Sequence, residues 1–472
     1  LEAIAQNPAI KTLVFDVRSW PVGWAKMADF HQRLKDVQTA GKSIFVLLQI
    51  ADARALAIFS CADRIWVQSG LEMFWIGIGG RHTFYKGLLD RFGVQADIEA
   101  AGSFKSFGEV YTRTEPSEAN RLQMTELYAD LHQQMLDWLI ESRGVELEVV
   151  EDLFRDSPVP SERLVDLGLI DGEIYHDELW DRVQEFTNSS AEPVSFGRYL
   201  RRQRWIRRFS WGHIRNPVVM LHLEGSITDH ERGQEGIVAD RVLPILKSLQ
   251  QCEHIQTVVL NINSPGGSAM ASDRIAREVR RLAESKNVVA LLGNIAASGG
   301  YWLACAADEI FASRASIVGS IGVVSSGFGF DKAIEKIGVD RRLYTSGDNK
   351  AILDPFLPEK KDEVKRLKDI QKQLHQQFIS FVKSRRGSKI DDKNKEVFTG
   401  AFWSGEESIE IGLIDGFGEM KTILKERFGD SVKTKEFSPK KKFFGFANLL
   451  SGSLDMLIYK IDERSLFKRF GL

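Results

Sequence analysis

The sequence predicts an α/β protein made of two tandem copies of one strand–helix unit, each with a mainly parallel sheet flanked by helices. Two observations carry this expectation. The chain repeats itself: Lys11–Asp16 (KTLVFD) resembles Gln256–Asn261 (QTVVLN) at an offset of 245 positions. The same offset pairs Ile50–Trp66 with Ile295–Phe311, Gly93 with Gly338, Gly102 with Gly347 and Lys105 with Lys350. Farther on it drifts slightly, with LHQQ at Leu131–Gln134 and Leu374–Gln377, and GLIDG at Gly168–Gly172 and Gly412–Gly416. A nearly gap-free match across a whole unit marks a duplicated domain. The second observation is that short apolar runs alternate with longer helical patterns, which implies right-handed crossovers between parallel strands.

The elements follow in order. The second copy opens on an apolar strand, Val218–Leu223, turns through Glu224 and Gly225, and continues into a helix-like stretch, Asp240–Leu249. Thr257–Ile262 and Val288–Leu292 read as buried parallel strands, with a helix pattern at Ala271–Leu282 between them. Glu363–Lys383 carries Leu367, Ile370, Leu374, Phe378 and Phe381 on one side, the stripe of an amphipathic helix. In the first copy Leu1 aligns with Leu246, so roughly thirty residues of the unit are expected upstream. Leu1 thus reads as the start of a fragment, without initiator Met, signal peptide or anchor. The expected layout is a truncated first repeat at 1–186, a linker at 187–217, a second repeat at 218–436 and a tail at 437–472.

Composition narrows the function classes. The 472 residues are 43% apolar and 27% charged, which excludes disorder and fibres. Sixty-three Lys and Arg against 65 Asp and Glu leave a net charge of -2, with no overall pull toward nucleic acid. Three cysteines (Cys61, Cys252, Cys305) without metal-ligand spacing argue against a disulfide scaffold and a zinc site, and no cofactor is expected. Arg198, Arg201, Arg202, Arg204, Arg207 and Arg208 cluster in the linker; a solvated helix is the favoured reading over a membrane or RNA patch. Val288–Ala307 lacks formal charge, yet Asn294, Ser298, Gly299 and Gly300 suit a strand and a buried helix better than a membrane span.

The chemistry is expected where the copies differ. Asn263–Ser268 (NSPGGS) lies between a strand and a helix, where paired glycines can turn amides toward a developing oxyanion. Ala296–Trp302 (AASGGYW) puts Ser298 at another strand-to-helix junction, flanked by small residues that admit a substrate. No His lies between Ser298 and His375, and His132 and His375 recur within LHQQ, which reads as structural. A lysine kept neutral by desolvation can serve as base instead, and the candidates are Lys105 and Lys350. The first copy has Ala53 at the Ser298 position and Trp75 at the Ser320 position, and its loop Arg18–Gly23 lacks paired glycines. It keeps Lys105, as a split active site requires.

NSPGGS, AASGGYW and Gly319–Gly322 (GSIG), with Gly102–Ser106 (GSFKS) upstream, resemble the signal peptide peptidase A (protease IV) family in its long two-domain bacterial form. The resemblance covers essentially the whole chain. It implies a Clp-protease/crotonase-like fold and a serine protease with a Ser/Lys dyad that degrades cleaved signal peptides and other apolar peptides. It also implies a homotetramer at the bacterial inner (cytoplasmic) membrane, its catalytic part facing the periplasm or outer side. By the same resemblance Ser298 is the nucleophile, Lys105 the general base and Ser320 the residue that orients the lysine. Gly266 and Gly299 are the expected oxyanion amides, with Gly267 close behind. Lys350 is expected to be a remnant, because its partner copy would offer only Ala53. Lys440–Lys442 beside Phe443, Phe444, Phe446, Leu449 and Leu450 suits a helix on an anionic membrane or one packed on the protein. The competing functional reading is a catalytically silent scaffold of the same fold.

Overall fold

Both copies obey one local rule: an apolar strand enters a sheet, and the helix that follows buries one face against it. The computed structural model describes residues 1–19, 22–50, 52–69, 71, 73–75, 77–189, 193–199, 218–229, 236–342, 354–390, 394–418, 422–425 and 434–438. Lys350, the linker arginines from Arg201 to Arg208 and the tail from Lys440 lie outside them. The chain divides into two compact units, Leu1–Ile78 with Ala129–Asn216, and Gly79–Tyr128 with Pro217–Leu472.

In the first unit, β1 (Thr12–Val17), β2 (Ser43–Leu48), β3 (Arg64–Gln68) and β5 (Gly172–Ile174) form a parallel sheet in the order β1-β2-β3-β5. The helix Trp24–Thr39 buries Trp24, Met27, His31, Leu34 and Val37, an i, i+3, i+7 stripe that covers the sheet. His31 is accounted for within this core. It stacks on Trp138 at 4.9 Å, and its Nδ1 lies 2.9 Å from the Ile58 carbonyl.

The intervening strand β4 (Gln95–Ala101) belongs to the second unit, although the sequence repeat assigns residues 79–128 to the first copy. It pairs antiparallel with β13 (Val323–Gly329) in a two-stranded ribbon, Ala101 opposite Val323 and Gln95 opposite Gly329. The main sheet of this unit contains β6 (Val218–Glu224), β9 (Thr257–Ser264), β10 (Asn287–Ala297) and β12 (Ile317–Gly319), in the order β12-β10-β9-β6. These strands are parallel; β14 (Phe402–Ser404) joins β12 antiparallel. Shorter strands complete it: β11 (Glu309–Ala312) beside β10, β15 (Gly416–Phe417) beside β11, and β16 (Thr434–Phe437) beside β6. A separate parallel pair is β7 (Ile227–Thr228) with β8 (Ile237–Val238).

The apolar runs expected at Val218–Leu223, Thr257–Ile262 and Val288–Leu292 are β6, β9 and β10, and the charge-free stretch Val288–Ala307 is a strand followed by a seven-residue helix, Gly299–Cys305. Among the described residues no helix is long and apolar enough to cross a membrane. The long helix Lys361–Arg386 departs from its expected stripe. Ile370 is exposed, whereas Gln371, Phe378, Val382 and Arg386 are buried. The face turns by one residue because Gln371 finds polar partners inside, the Glu99 carbonyl at 2.9 Å and Ser325 Oγ at 2.7 Å.

GLIDG has a structural explanation in both units. Asp415 accepts from Arg386 at 2.7 Å and from the Ile310 amide at 2.8 Å, while Arg386 also donates twice to the Gly412 carbonyl. In the first unit Asp171 accepts from the Ile65 amide at 2.8 Å and lies 3.5 Å from Arg143.

Candidate active site

Ser298 sits between the end of β10 and the first residue of the helix Gly299–Cys305, at φ 54° and ψ −120°. Among the described residues only Asn188, Ser298 and Ser320 combine a side chain with positive φ. Each such conformation costs about 1–3 kcal/mol and persists only where its surroundings hold it. Here the Ser298 amide donates to the Gly319 carbonyl at 2.8 Å, and the Ser298 carbonyl accepts from the Trp302 amide at 2.9 Å. The helix can start this abruptly because Gly300 touches the end of β9, where an added Cβ would lie 2.5 Å from the Ser264 carbonyl oxygen. The Ser298 hydroxyl is left half-buried and donates to the Gly322 carbonyl at 3.4 Å.

Lys105 arrives from the turn after β4, where the Phe104 amide bonds the Thr399 carbonyl at 3.0 Å. Its stem runs past Gly322 and Gly400, near enough that a Cβ on either would meet it at 3.1–3.3 Å. The ammonium end donates to Ser320 Oγ at 3.0 Å and to the Ser320 carbonyl at 2.9 Å. Ser320 is held in turn by its amide, which donates to the Ala401 carbonyl at 2.6 Å.

Three residues of the segment Gly319–Gly322 therefore receive hydrogen bonds from the expected partners. Gly319 and Gly322 take the amide and hydroxyl of Ser298, and Ser320 takes Lys105 twice. The structure thus brings Ser298, Lys105 and Ser320 to one loop of one unit.

The glycine pair resolves differently from the sequence expectation. The Gly266 amide donates to Ser264 Oγ at 3.2 Å inside its own turn, so it is not free for an oxyanion. What Gly266 supplies is space: at φ 108°, a Cβ there would stand 2.9 Å from the Gly299 nitrogen and from Ser298 Cβ. No acceptor among the described residues takes the Gly267 amide. Gly267 is held by flanking bonds, from the Ile227 amide to the Gly266 carbonyl and from the Ser268 amide to the Ile227 carbonyl, both 2.8 Å. Gly299, as the first helical residue, has no intrahelical acceptor for its amide.

The first unit has lost this arrangement. Ala53 is fully buried at the Ser298 position. Trp75 fills the Ser320 position, its amide bonding Ser157 Oγ at 3.0 Å and its ring meeting Phe154 edge-on at 5.5 Å. The cysteines offer no rival nucleophile in the cores, since burial pushes the Cys61 thiol up to about 11 and the Cys305 thiol up to about 12. Among the described residues no group of three or more His, Cys, Asp or Glu side chains could hold a metal ion. His375 was expected to be structural; it lies against the site, with Nε2 3.1 Å from the Ile321 carbonyl. Periodicity could not single it out, because LHQQ places a histidine on the same helical stripe in both copies.

Comparison with known families and proteins finds likeness along most of the chain. Residues 37–189 and 280–429 match the family model "Peptidase family S49", and residues 220–320 match "Clp protease". The chain is 41% identical over 283 residues to a protein of Brucella abortus named Na(+)/H(+) antiporter NhaA, covering 56% of this chain and 38% of that one. It is 26% identical over 430 residues to the chloroplastic serine protease SPPA of Arabidopsis thaliana, covering 89% and 63%. Protease 4 of Haemophilus influenzae is 26% identical over 454 residues, covering 90% and 71%. The chain thus spans between about two fifths and seven tenths of the length of these relatives.

Proposed function

The chain belongs to peptidase family S49, and on that premise we propose that it is a serine endopeptidase with Ser298 as nucleophile and Lys105 as general base. The observation that carries the proposal is the Gly319–Gly322 loop, which accepts hydrogen bonds from both residues. In the reaction, unprotonated Lys105 takes the Ser298 proton as Oγ attacks the peptide carbonyl, and the Gly267 and Gly299 amides receive the oxyanion. The protonated lysine then gives its proton to the leaving amine. Water attacks the acyl-enzyme with Lys105 again as base, releasing the acid and freeing Ser298. Ser320 orients the amine throughout.

The small residues around Ser298, with the family resemblance, favour apolar and unbranched segments such as cleaved signal peptides. The same resemblance supports a homotetramer working at the outer face of a bacterial cytoplasmic membrane. Light scattering that finds only monomer would remove the tetramer from this reading.

A serine-directed phosphonate and a peptide ester test the core of it. Labelling is expected on Ser298 and lost in Ser298→Ala, while Lys105→Ala slows acylation by roughly 10²–10⁴-fold. The rate is expected to rise with pH, since only the unprotonated amine accepts a proton. Lys350→Ala is expected to retain activity; activity that survives Lys105→Ala but not Lys350→Ala would reverse the assignment. Equal labelling of wild type and Ser298→Ala, with no turnover by either, would leave the silent scaffold as the better description.

A further inference from the structure

Resting on the Ser298–Lys105 reading, we propose that His375 is a positioning residue of the site: its hydrogen bond to the Ile321 carbonyl fixes the loop that receives both Ser298 and Lys105. Ile321 lies between Ser320, which accepts from Lys105, and Gly322, which accepts from Ser298. Any rotation of the peptide between Ile321 and Gly322 therefore disturbs both partners together. A carbonyl can only accept, so at 3.1 Å the His375 Nε2 carries the proton.

The surroundings of the ring support the role. Burial holds the imidazole below its ordinary range against the bond to Ile321, and the Lys105 charge adds to the lowering. The ring therefore works as a neutral donor beside the lysine.

His375 does not act from an isolated position. One face of the long helix presents Gln371, His375 and Phe378 in successive turns. Gln371 bonds both strands of the β4–β13 ribbon that leads to Lys105. Phe378 stacks on Trp302 of the helix behind Ser298, with centroids 4.3 Å apart and planes at 6°. This face thus touches the ribbon that carries Lys105 and the helix that follows Ser298, and His375 touches the loop where both residues bond.

The first copy supplies a built-in comparison. Its LHQQ histidine, His132, lies edge-on to Phe154 at 4.7 Å, and its buried Nδ1 has no partner among the described residues. That unit holds Ala53 and Trp75 in place of Ser298 and Ser320. The engaged histidine is in the copy that keeps the serines.

The test compares His375→Leu, His375→Gln and His132→Leu in the 472-residue chain, with kcat and KM on a peptide ester, the phosphonate labelling rate and thermal unfolding. His375→Leu is expected to lower kcat and labelling by about 10- to 100-fold, since small misplacements of reacting groups cost that much. KM should stay within about twofold, because substrate contacts are untouched. His375→Gln, whose amide can donate to the same carbonyl, should recover most of the rate, and His132→Leu should leave it unchanged. If His375→Leu does not fold, His375→Asn, whose amide is too short to reach Ile321, takes its place. A folded Leu or Asn variant at the wild-type rate, or a Gln variant no faster than it, would overturn the inference. A wild type without Ser298-dependent labelling would instead overturn the underlying peptidase reading and this inference with it.

Discussion

At the residue scale, the site depends on backbone more than on side chains. Ser298 and Ser320 hold positive φ because neighbouring carbonyls accept their amides or their partners, and Gly266 leaves the approach to the Gly299 amide open. Gly266→Ala is therefore expected to slow phosphonate labelling by at least about 100-fold, the scale of losing an oxyanion contact. The check is labelling rate beside circular dichroism, and a folded Gly266→Ala variant that labels normally would remove this role. The positions of Ser298, Lys105 and Ser320 were legible in the sequence because small-residue motifs surround them and one copy has lost two of the three. Which glycine amide faces the site was not legible. That depends on Ser264 Oγ, a hydroxyl inside the same motif that claims the Gly266 amide, and sequence spacing does not reveal such a competition.

At the element scale, two pieces position Lys105: the β4–β13 ribbon and the long helix behind it. The strand–helix alternation of the main sheet was readable from apolar runs, since strands buried on both faces are continuously apolar. The ribbon was not, because the apolar residues of β4 are mostly alanines set between charged ones, and it pairs with a strand more than two hundred positions away. It also carries a strained carboxylate. Burial raises the Asp97 carboxyl above its ordinary range against a bond from Gln95, nearby Asp331 adds to the rise, and Oδ1 has no partner among the described residues. A carboxyl raised on folding favours the folded state at low pH and loses that contribution as pH rises through its folded value. Asp97→Asn should therefore raise the urea midpoint near neutral pH, with the gain vanishing below the carboxylate range; an equal gain at both would refute the cause. On the helix, Phe378→Ala should cost about 3–5 kcal/mol, read from urea unfolding, because it empties the stack on Trp302.

At the scale of the whole molecule, the duplicated units preserve the same buried ion pair while diverging in chemistry. Burial would raise Asp415, but hydrogen bonds from Arg386 and Lys389 outweigh it and hold the carboxyl below its ordinary range. Such a group contributes stability above its unfolded value and loses it as pH falls through the folded one. The pair thus steepens acid unfolding, opposite in sign to Asp97. Arg386→Leu should cost about 3–5 kcal/mol, the range for breaking a buried pair. It should also flatten the acid limb of stability against pH; an unchanged limb would contradict the assignment.

The placement of residues 79–128 in the second unit has a consequence for inheritance. A gene split between the two repeats would yield one product with Ser298 and another with Lys105, neither holding the pair.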